Sequence, residues 1–399
     1  MKEETIAARL ALVRKSMGRN RLSWLILTNP ANVTYVTGFM GEDSWAVVGS
    51  RKSYLLTDSR YSEEARRQCA CCEIVERTEG MVKETGRLVG ARGSLGVDDA
   101  MTVVFYDLLR KAFKGRVKRA GRITEDLRQV KDAQEIRLIE KAAAIAWDAL
   151  GRSLVLKVGM TESELAGRIE FEMRKRQARP SFETIVAFGA NGSIPHHRPG
   201  ERRLKRNDTI LIDFGVKWNG YCCDMTRCFA VGKASSVYQK AYDSVLEAHR
   251  AAAGKVRAGV SAKELDETAR KVIADAGFPP YGHGLGHGLG LEIHEGPSVS
   301  SKSEAILKAG QVITIEPGVY IPGKLGIRIE DDYLVTEKGC RLLSGGSKRS
   351  ERPLGTYIIL LWKRSCVKDA VLHVFPPPSI AMAFHLTGWR RSCTIHCVR

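Results

Sequence analysis

TILIDFGVKWNGYCCDMTRCFAVG, residues 209–232, reads as two apolar runs folded about a turn at Trp218-Asn219-Gly220. Asn-Gly is a strong hairpin signal because both residues tolerate the positive φ that a two-residue turn requires. On this hairpin Asp213 and Asp224 fall nearly opposite each other, among Ile, Leu and Phe. A second stretch, VITIEPGVYIPGKLGIRIEDDYLV at 312–335, has the same plan, with a turn around Pro322-Gly323-Lys324 and Glu316 opposite Glu330. Each hairpin therefore carries two inward carboxylates. Burying such charges among aliphatic side chains is costly unless a cation compensates.

The duplication extends outward. Gly159-Met160-Thr161-Glu162-Ser163-Glu164-Leu165 is echoed by Gly259-Val260-Ser261-Ala262-Lys263-Glu264-Leu265. Each contains S/T-x-x-E, the capping box that opens a helix. Each predicted helix leads to a loop bearing Gly and His, then to a hairpin. The matched order predicts two pseudo-equivalent α+β halves across roughly 130–345. Ile136, Ile139, Ala143 and Trp147 give 132–156 a helical period. Upstream, WLILT (24–28), WAVVG (45–49), SYLLTD (53–58) and SLGVDD (94–99) read as strands. A short helix after Asn29-Pro30, YSEEARRQ and 101–114 read as helices between them. That alternation predicts a separate α/β domain ending near residue 127.

HGLGHGLGLEIHE, residues 283–295, places His283, His287 and His294 within thirteen residues. A zinc-binding helix would need a Glu directly after the first His, and Gly284 stands there. Gly284, Gly286 and Gly288 would each weaken a helix by about 1 kcal/mol. No G-x-G-x-x-G spacing supports a phosphate cradle. The segment is extended or looped backbone that presents imidazoles. Four strand carboxylates with at least one of these imidazoles suit a cage for two divalent ions about 3.5–4 Å apart. Oxygen and nitrogen ligands without thiolate favour Mn, Co, Zn or Fe. The spacing alone leaves open which histidine is the ligand.

Composition narrows the function classes. Hydrophobic residues make up 44% of 399, enough for a real core. No apolar run approaches the ~18 residues of a spanning helix. The start, MKEETIAARLALVRK, lacks the apolar centre of a signal peptide, so a cytoplasmic protein is expected. Cysteines crowd at Cys69, Cys71 and Cys72 and at Cys222, Cys223 and Cys228, which suits reduced thiols rather than a disulfide framework. The net charge of +18 is concentrated toward the end, where residues 348–399 hold nine Lys/Arg and two Asp/Glu. With no aromatic-basic motif, this predicts neither a nucleic-acid nor a membrane partner. Residues 346–399 show no helix or strand period and read as a disordered extension, produced by an altered reading frame or a misplaced gene boundary.

IDFG…NGYCCDMTR, HGLGHGLGLEIHE, ITIEPGVY and GIRIEDD, with NGSIPHHRP upstream, resemble the pita-bread metallopeptidases. Within that family the chain is most similar to Xaa-Pro aminopeptidases and Xaa-Pro dipeptidases (prolidases), over about residues 1–345. The resemblance implies an α+β fold: a pita-bread (duplicated α+β) catalytic domain at 128–345, preceded by a creatinase-like α/β N-terminal domain at 1–127. It implies two divalent metal ions, Mn first and Co or Zn as alternatives, with Asp213, Asp224, His287, Glu316 and Glu330 as ligands and Asp224 and Glu330 bridging. A hydroxide shared by the ions would attack the peptide bond that joins an N-terminal residue to proline. His196 would contact the scissile amide, His294 the tetrahedral intermediate, and Glu316 would accept the proton. His283, Arg328 and Tyr320 would bind substrate. His197 is expected to be an exposed loop residue. Phe188 and Ala190 depart from the family's usual residues and are expected to reshape the pocket edge. The implied partners are a peptide with proline at its second position and a second copy in a homodimer. The alternatives are a pita-bread peptide-binding protein that is inactive or differently specific, a creatinase-like hydrolase without metal, and a methionine aminopeptidase. The complete ligand set argues against the metal-free hydrolase, and the N-terminal domain against the methionine aminopeptidase.

Overall fold

The strands of the N-terminal domain form where the apolar runs predict them. Trp24–Leu27 lies at the centre of a six-stranded mixed sheet, antiparallel to Trp45–Gly49 and parallel to Ser94–Val97. Asn29 caps the helix Pro30–Thr37 by accepting from the backbone N–H groups of Ala31 and Asn32. The structure, a computed structural model, describes residues 3–69, 71–90 and 93–345, with the backbone of 358–361 and 372–373. The sequence reading missed the sheet's two edges, Glu73–Glu76 and Arg116–Arg119, which are short and highly charged. It also missed the helix Glu3–Arg19, which buries Ile6, Leu10, Val13 and Met17 at helical spacing.

The C-terminal domain is duplicated as expected. Its first half runs through helices Ala133–Ser153 and Glu162–Arg174 to strands Ile185–Phe188, Thr209–Phe214 and Met225–Val231. The second runs through helices Ser236–Ala253 and Ala262–Asp275 to strands Gly286–Gly288, Val312–Ile315 and Asp331–Val335. In both, the middle strand of the three lies between the other two in the sheet. The backbone contacts at the two helix entries match. The Gly159 N–H donates to the Leu204 carbonyl and the Gly259 N–H to the Leu307 carbonyl, both at positive φ. Thr161 bridges Arg203, and Ser261 bridges Ile306. The capping boxes, however, are not equivalent. Thr161 and Glu164 form the reciprocal bonds, whereas the Ser261 hydroxyl makes no cap bond. Glu264 instead lies 3.4 Å from the Lys255 ammonium.

Both hairpins take the expected register within a residue or two. Asn219 and Gly220, at φ of 46° and 86°, form the two-residue turn between Trp218 and Tyr221. Asp213 pairs with Thr226, so Asp224 lies two positions further along. Ile315 pairs with Asp331, which places Glu316 beside Glu330. An isolated β-bridge between Thr226 and Glu330 is one of the links between the halves.

A continuous apolar core runs from Leu25 and Leu55 of the first sheet to Leu289, Val312 and Leu334 of the C-terminal domain. In the tail, Ile358–Leu361 runs parallel to Met225–Val231 and pairs with Leu372–His373. The disorder expected of the rest of 346–399 falls outside the described residues. Among the described residues, no helix is long and apolar enough to cross a membrane.

Candidate metal centre

Four strand termini and one glycine-rich strand deliver the five candidate ligands to a cavity of about 680 Å³. Asp213 stands near the end of Thr209–Phe214, and Asp224 just before Met225–Val231. Glu316 follows Val312–Ile315, and Glu330 precedes Asp331–Val335. His287 is the middle residue of Gly286–Gly288. The flanking glycines have a steric cause. A Cβ on Gly286 would lie 2.1 Å from the Thr314 carbonyl oxygen, and one on Gly288 would lie 2.1 Å from that of Gly296. Only glycine lets this strand come so close to its neighbours while His287 turns into the cavity.

Asp224, His287 and Glu330 each offer a ligand atom within 4.8 Å of the others. The His287 Nε2 is 3.6 Å from Asp224 Oδ2 and 3.5 Å from Glu316 Oε1. Asp213 is turned partly away, with Oδ2 accepting from Arg328 Nη2 at 2.6 Å. Oδ1 of Asp213 and Oδ1 of Asp224 are buried without a hydrogen-bond partner. Buried acceptors left this way normally mark a missing cation or donor.

Electrostatics point to the same gap. Burial first, then the charges of Glu330 and Asp213, hold Asp224 well above the usual carboxylate range. Burial and the charges of Glu316 and Asp213 do the same to Glu330. Burial pushes Glu316 up to about 8, although Arg328 pulls the other way. Crowded carboxylates resist ionising together unless positive charge enters among them. Burial lowers His287 to about 4, so its imidazole is neutral at pH 7. Its Nδ1 is 3.0 Å from the Gly288 carbonyl, which leaves Nε2 as the free lone pair. The donor set thus fits divalent metal.

Arg328 organises one wall. Its Nη1 donates to the Tyr320 hydroxyl at 2.8 Å, and its Nε to Thr226 Oγ1 at 3.0 Å. Thr226 Oγ1 in turn donates to Glu330 Oε2 at 2.6 Å. The His283 Nε2 is 3.0 Å from the Tyr320 hydroxyl, and burial lowers His283 to about 4. Tyr320 reaches the site through these bonds and does not itself line the cavity. His294, lowered by burial, packs edge-on to His287 at 4.5 Å between ring centroids. The sequence reading missed Thr226. Its signal is its place two residues after Asp224, on the same face of an extended strand.

His196 is exposed and lines the cavity. Its neighbour corrects an expectation: His197 is partly buried, with Nε2 2.8 Å from the wholly buried Glu162. Phe188 and Ala190 do not reshape the pocket edge either. Phe188 is sealed in the core, and neither residue lines the cavity.

Metallopeptidase family M24 matches residues 137–337, and the creatinase/prolidase N-terminal domain matches 9–130. The chain belongs to metallopeptidase family M24. Membership implies divalent metal ions, in keeping with the donor set above. This M24 chain is 34% identical to a Pyrococcus furiosus Xaa-Pro dipeptidase, over 87% of its own length and 99% of the relative's. It is 36% identical to a Bacillus subtilis peptidase, over 85% of its length and 98% of the relative's. The structure matches that of an Xaa-Pro dipeptidase from Bacillus anthracis with a TM-score of 0.83 and 32% identity, covering 89% of this chain and 100% of that one. It also matches an X-Pro aminopeptidase from Thermotoga maritima with a TM-score of 0.75 and 33% identity, covering 83% and 97%.

Proposed function

We propose that this M24 chain hydrolyses the bond between an N-terminal residue and a following proline, with two divalent ions held by Asp213, Asp224, His287, Glu316 and Glu330. Mn is the ion we assign, with Co or Zn as substitutes. The observation that carries the reading is the cluster of buried carboxylates around a neutral imidazole whose Nε2 is left free. Ions bound there supply hydroxide near neutral pH and polarise the peptide carbonyl.

The chain's own groups complete the chemistry. Glu316, ionised once positive charge enters the site, would accept the water proton and return it to the proline nitrogen as the peptide bond breaks. His294 donates to the oxygen that gains charge, and His196 contacts the scissile amide. Arg328 and His283, tied together through the Tyr320 hydroxyl, form a polar wall for the proline side of the substrate. A proline nitrogen carries no N–H, so recognition there must come from shape and the flanking groups. The domain division proposed with this reading remains 1–127 and 128–345.

The test is hydrolysis of Ala-Pro beside a longer Xaa-Pro-led peptide, with added Mn or Co and Asp213→Ala as control. Cleavage of the dipeptide alone makes the enzyme a prolidase. Cleavage of the longer peptide makes it an aminopeptidase. No metal-dependent, Asp213-dependent cleavage of either would sink the reading and favour a peptide-binding role or another substrate.

A further inference from the structure

Glu162 opens the helix Glu162–Arg174, and its side chain is wholly buried at a place where no candidate metal ligand reaches it. Four donors converge on it. Oε1 accepts from the Phe188 N–H at 2.8 Å and from Asn191 Nδ2 at 2.9 Å. Oε2 lies 2.8 Å from His197 Nε2 and accepts from the Gly200 N–H at 3.2 Å. Among the described residues no Lys or Arg pairs with it, and its one ring partner is His197. A carboxylate sealed from water in this way depends on such donors, and the helix N-terminus adds favourable field.

What these bonds hold is the segment between them. Residues 189–200 leave the strand Ile185–Phe188, turn through Gly189–Ser193, and pass Pro195 and His196. Asn191 fixes the segment before His196, and His197 and Gly200 fix it after. The His196 ring makes no hydrogen bond among the described residues, so its placement comes from its backbone. The adjacent Pro195 carbonyl accepts only a long bond, 3.4 Å, from Arg328 Nη1.

We propose that Glu162 is a positioning residue for His196, acting through Asn191 and His197. This rests on the reading of His196 as the group that meets the scissile amide, and deepens it. A reacting geometry displaced by about 1 Å can cost 10²-fold in rate, so a loosened anchor acts through catalysis even where the fold survives.

The experiment is a double-mutant cycle on the metal-loaded, full-length enzyme with an Xaa-Pro peptide. His197→Ala is expected to lower kcat/KM by about 10- to 100-fold. His197→Gln, whose amide can still donate to Glu162, is expected to stay within about 3-fold of wild type. In a His196→Ala background, His197→Ala is expected to cost less than about 2-fold, because the anchor then positions nothing. Equal losses in both backgrounds, or no loss from His197→Ala alone, would overturn the proposal. A second readout needs no substrate. In metal-free protein, amides of 189–200 are expected to exchange about 10-fold faster in His197→Ala and Glu162→Gln, while those of 286–288 keep the wild-type rate. Unchanged exchange at 189–200 rejects the anchor. Faster exchange in a protein that cleaves no Xaa-Pro peptide keeps the anchor and rejects the substrate instead.

Discussion

Asp224 shows how the site sets function against stability. Its carboxyl is buried beside Glu330 and Asp213, and its Oδ1 has no hydrogen-bond partner. A carboxyl whose folded pKa is raised stabilises the metal-free fold only while protonated. That contribution is complete below the ordinary value near 3.8 and is lost as pH rises through the raised one. At pH 8, metal-free Asp224→Asn is therefore expected to be more stable than metal-free wild type by about 1 kcal/mol, roughly 2–4 °C in Tm. The same substitution should lower metal-dependent hydrolysis by on the order of 10³-fold and abolish the rise in Tm expected when Mn is added to wild type. Melting curves with chelator and with Mn check both arms, and a less stable metal-free variant would contradict the charge-crowding argument. At this scale the carboxylates that meet in the cavity were legible because a carboxylate in an apolar strand is conspicuous. Thr226 was not, because a hydroxyl in a strand looks like any other threonine until Arg328 and Glu330 are seen on either side of it. His197 was misread for a similar reason, since its partner Glu162 lies 35 residues away and has no pattern of its own.

Elements came through the sequence more clearly than the bonds that finish them. The repeated S/T-x-x-E predicted two helix starts, and helices begin at both. The expected box closes only at Thr161, because Glu264 leans toward Lys255 in the second copy. The two sites should therefore respond differently to one substitution. Thr161→Ala is expected to cost about 1 kcal/mol, and Ser261→Ala only a few tenths. Urea unfolding at fixed metal concentration compares them, and equal costs would show that the two caps are equivalent in solution. The glycine run was legible as non-helical, but its cause was not. The contact of Gly286 with the Thr314 backbone joins residues 28 apart and appears only in three dimensions. Gly286→Ala is expected to destabilise by about 3 kcal/mol, near the upper end for overpacking, and to weaken metal binding by displacing His287. Denaturation and metal titration of that variant read the two effects separately, and unchanged metal affinity would mean that the strand moves without carrying His287.

Across the whole molecule, a cluster of charged and polar groups ties the two domains together beside the strand that carries His287. Arg128, just past the domain boundary at the end of the helix Ile123–Arg128, donates to Asn32 Oδ1 of the N-terminal domain at 2.8 Å and pairs with Glu292 at 2.7 Å and with Glu295. Lys131 reaches Glu295 at 3.1 Å, and Asn29 Nδ2 donates to Glu292 at 2.9 Å. Glu295 directly follows His294, and its strand Glu295–Val299 pairs with the strand that carries His287. No sequence pattern pointed to this junction, because its partners are some 164 residues apart and single charges carry no period. The cluster still gives a sign that can be measured. Burial alone would raise Glu295, but Lys131 and Arg128 outweigh it and hold the carboxyl at about 2. A depressed folded pKa contributes stability that is present above the ordinary value near 4.5 and is lost as pH falls toward 2. The shift corresponds to about 3 kcal/mol. Breaking the cluster with Glu295→Gln leaves Arg128 and Lys131 buried and short of a partner, so a loss of that order is expected at pH 7. Many other groups titrate in acid, so the informative quantity is the difference between wild type and variant. With metal-free protein on both sides, that difference should be largest near pH 7 and shrink steadily below pH 4.5. A difference that stays constant from pH 7 to pH 3 would mean that Glu295 is not held ionised by its two cations.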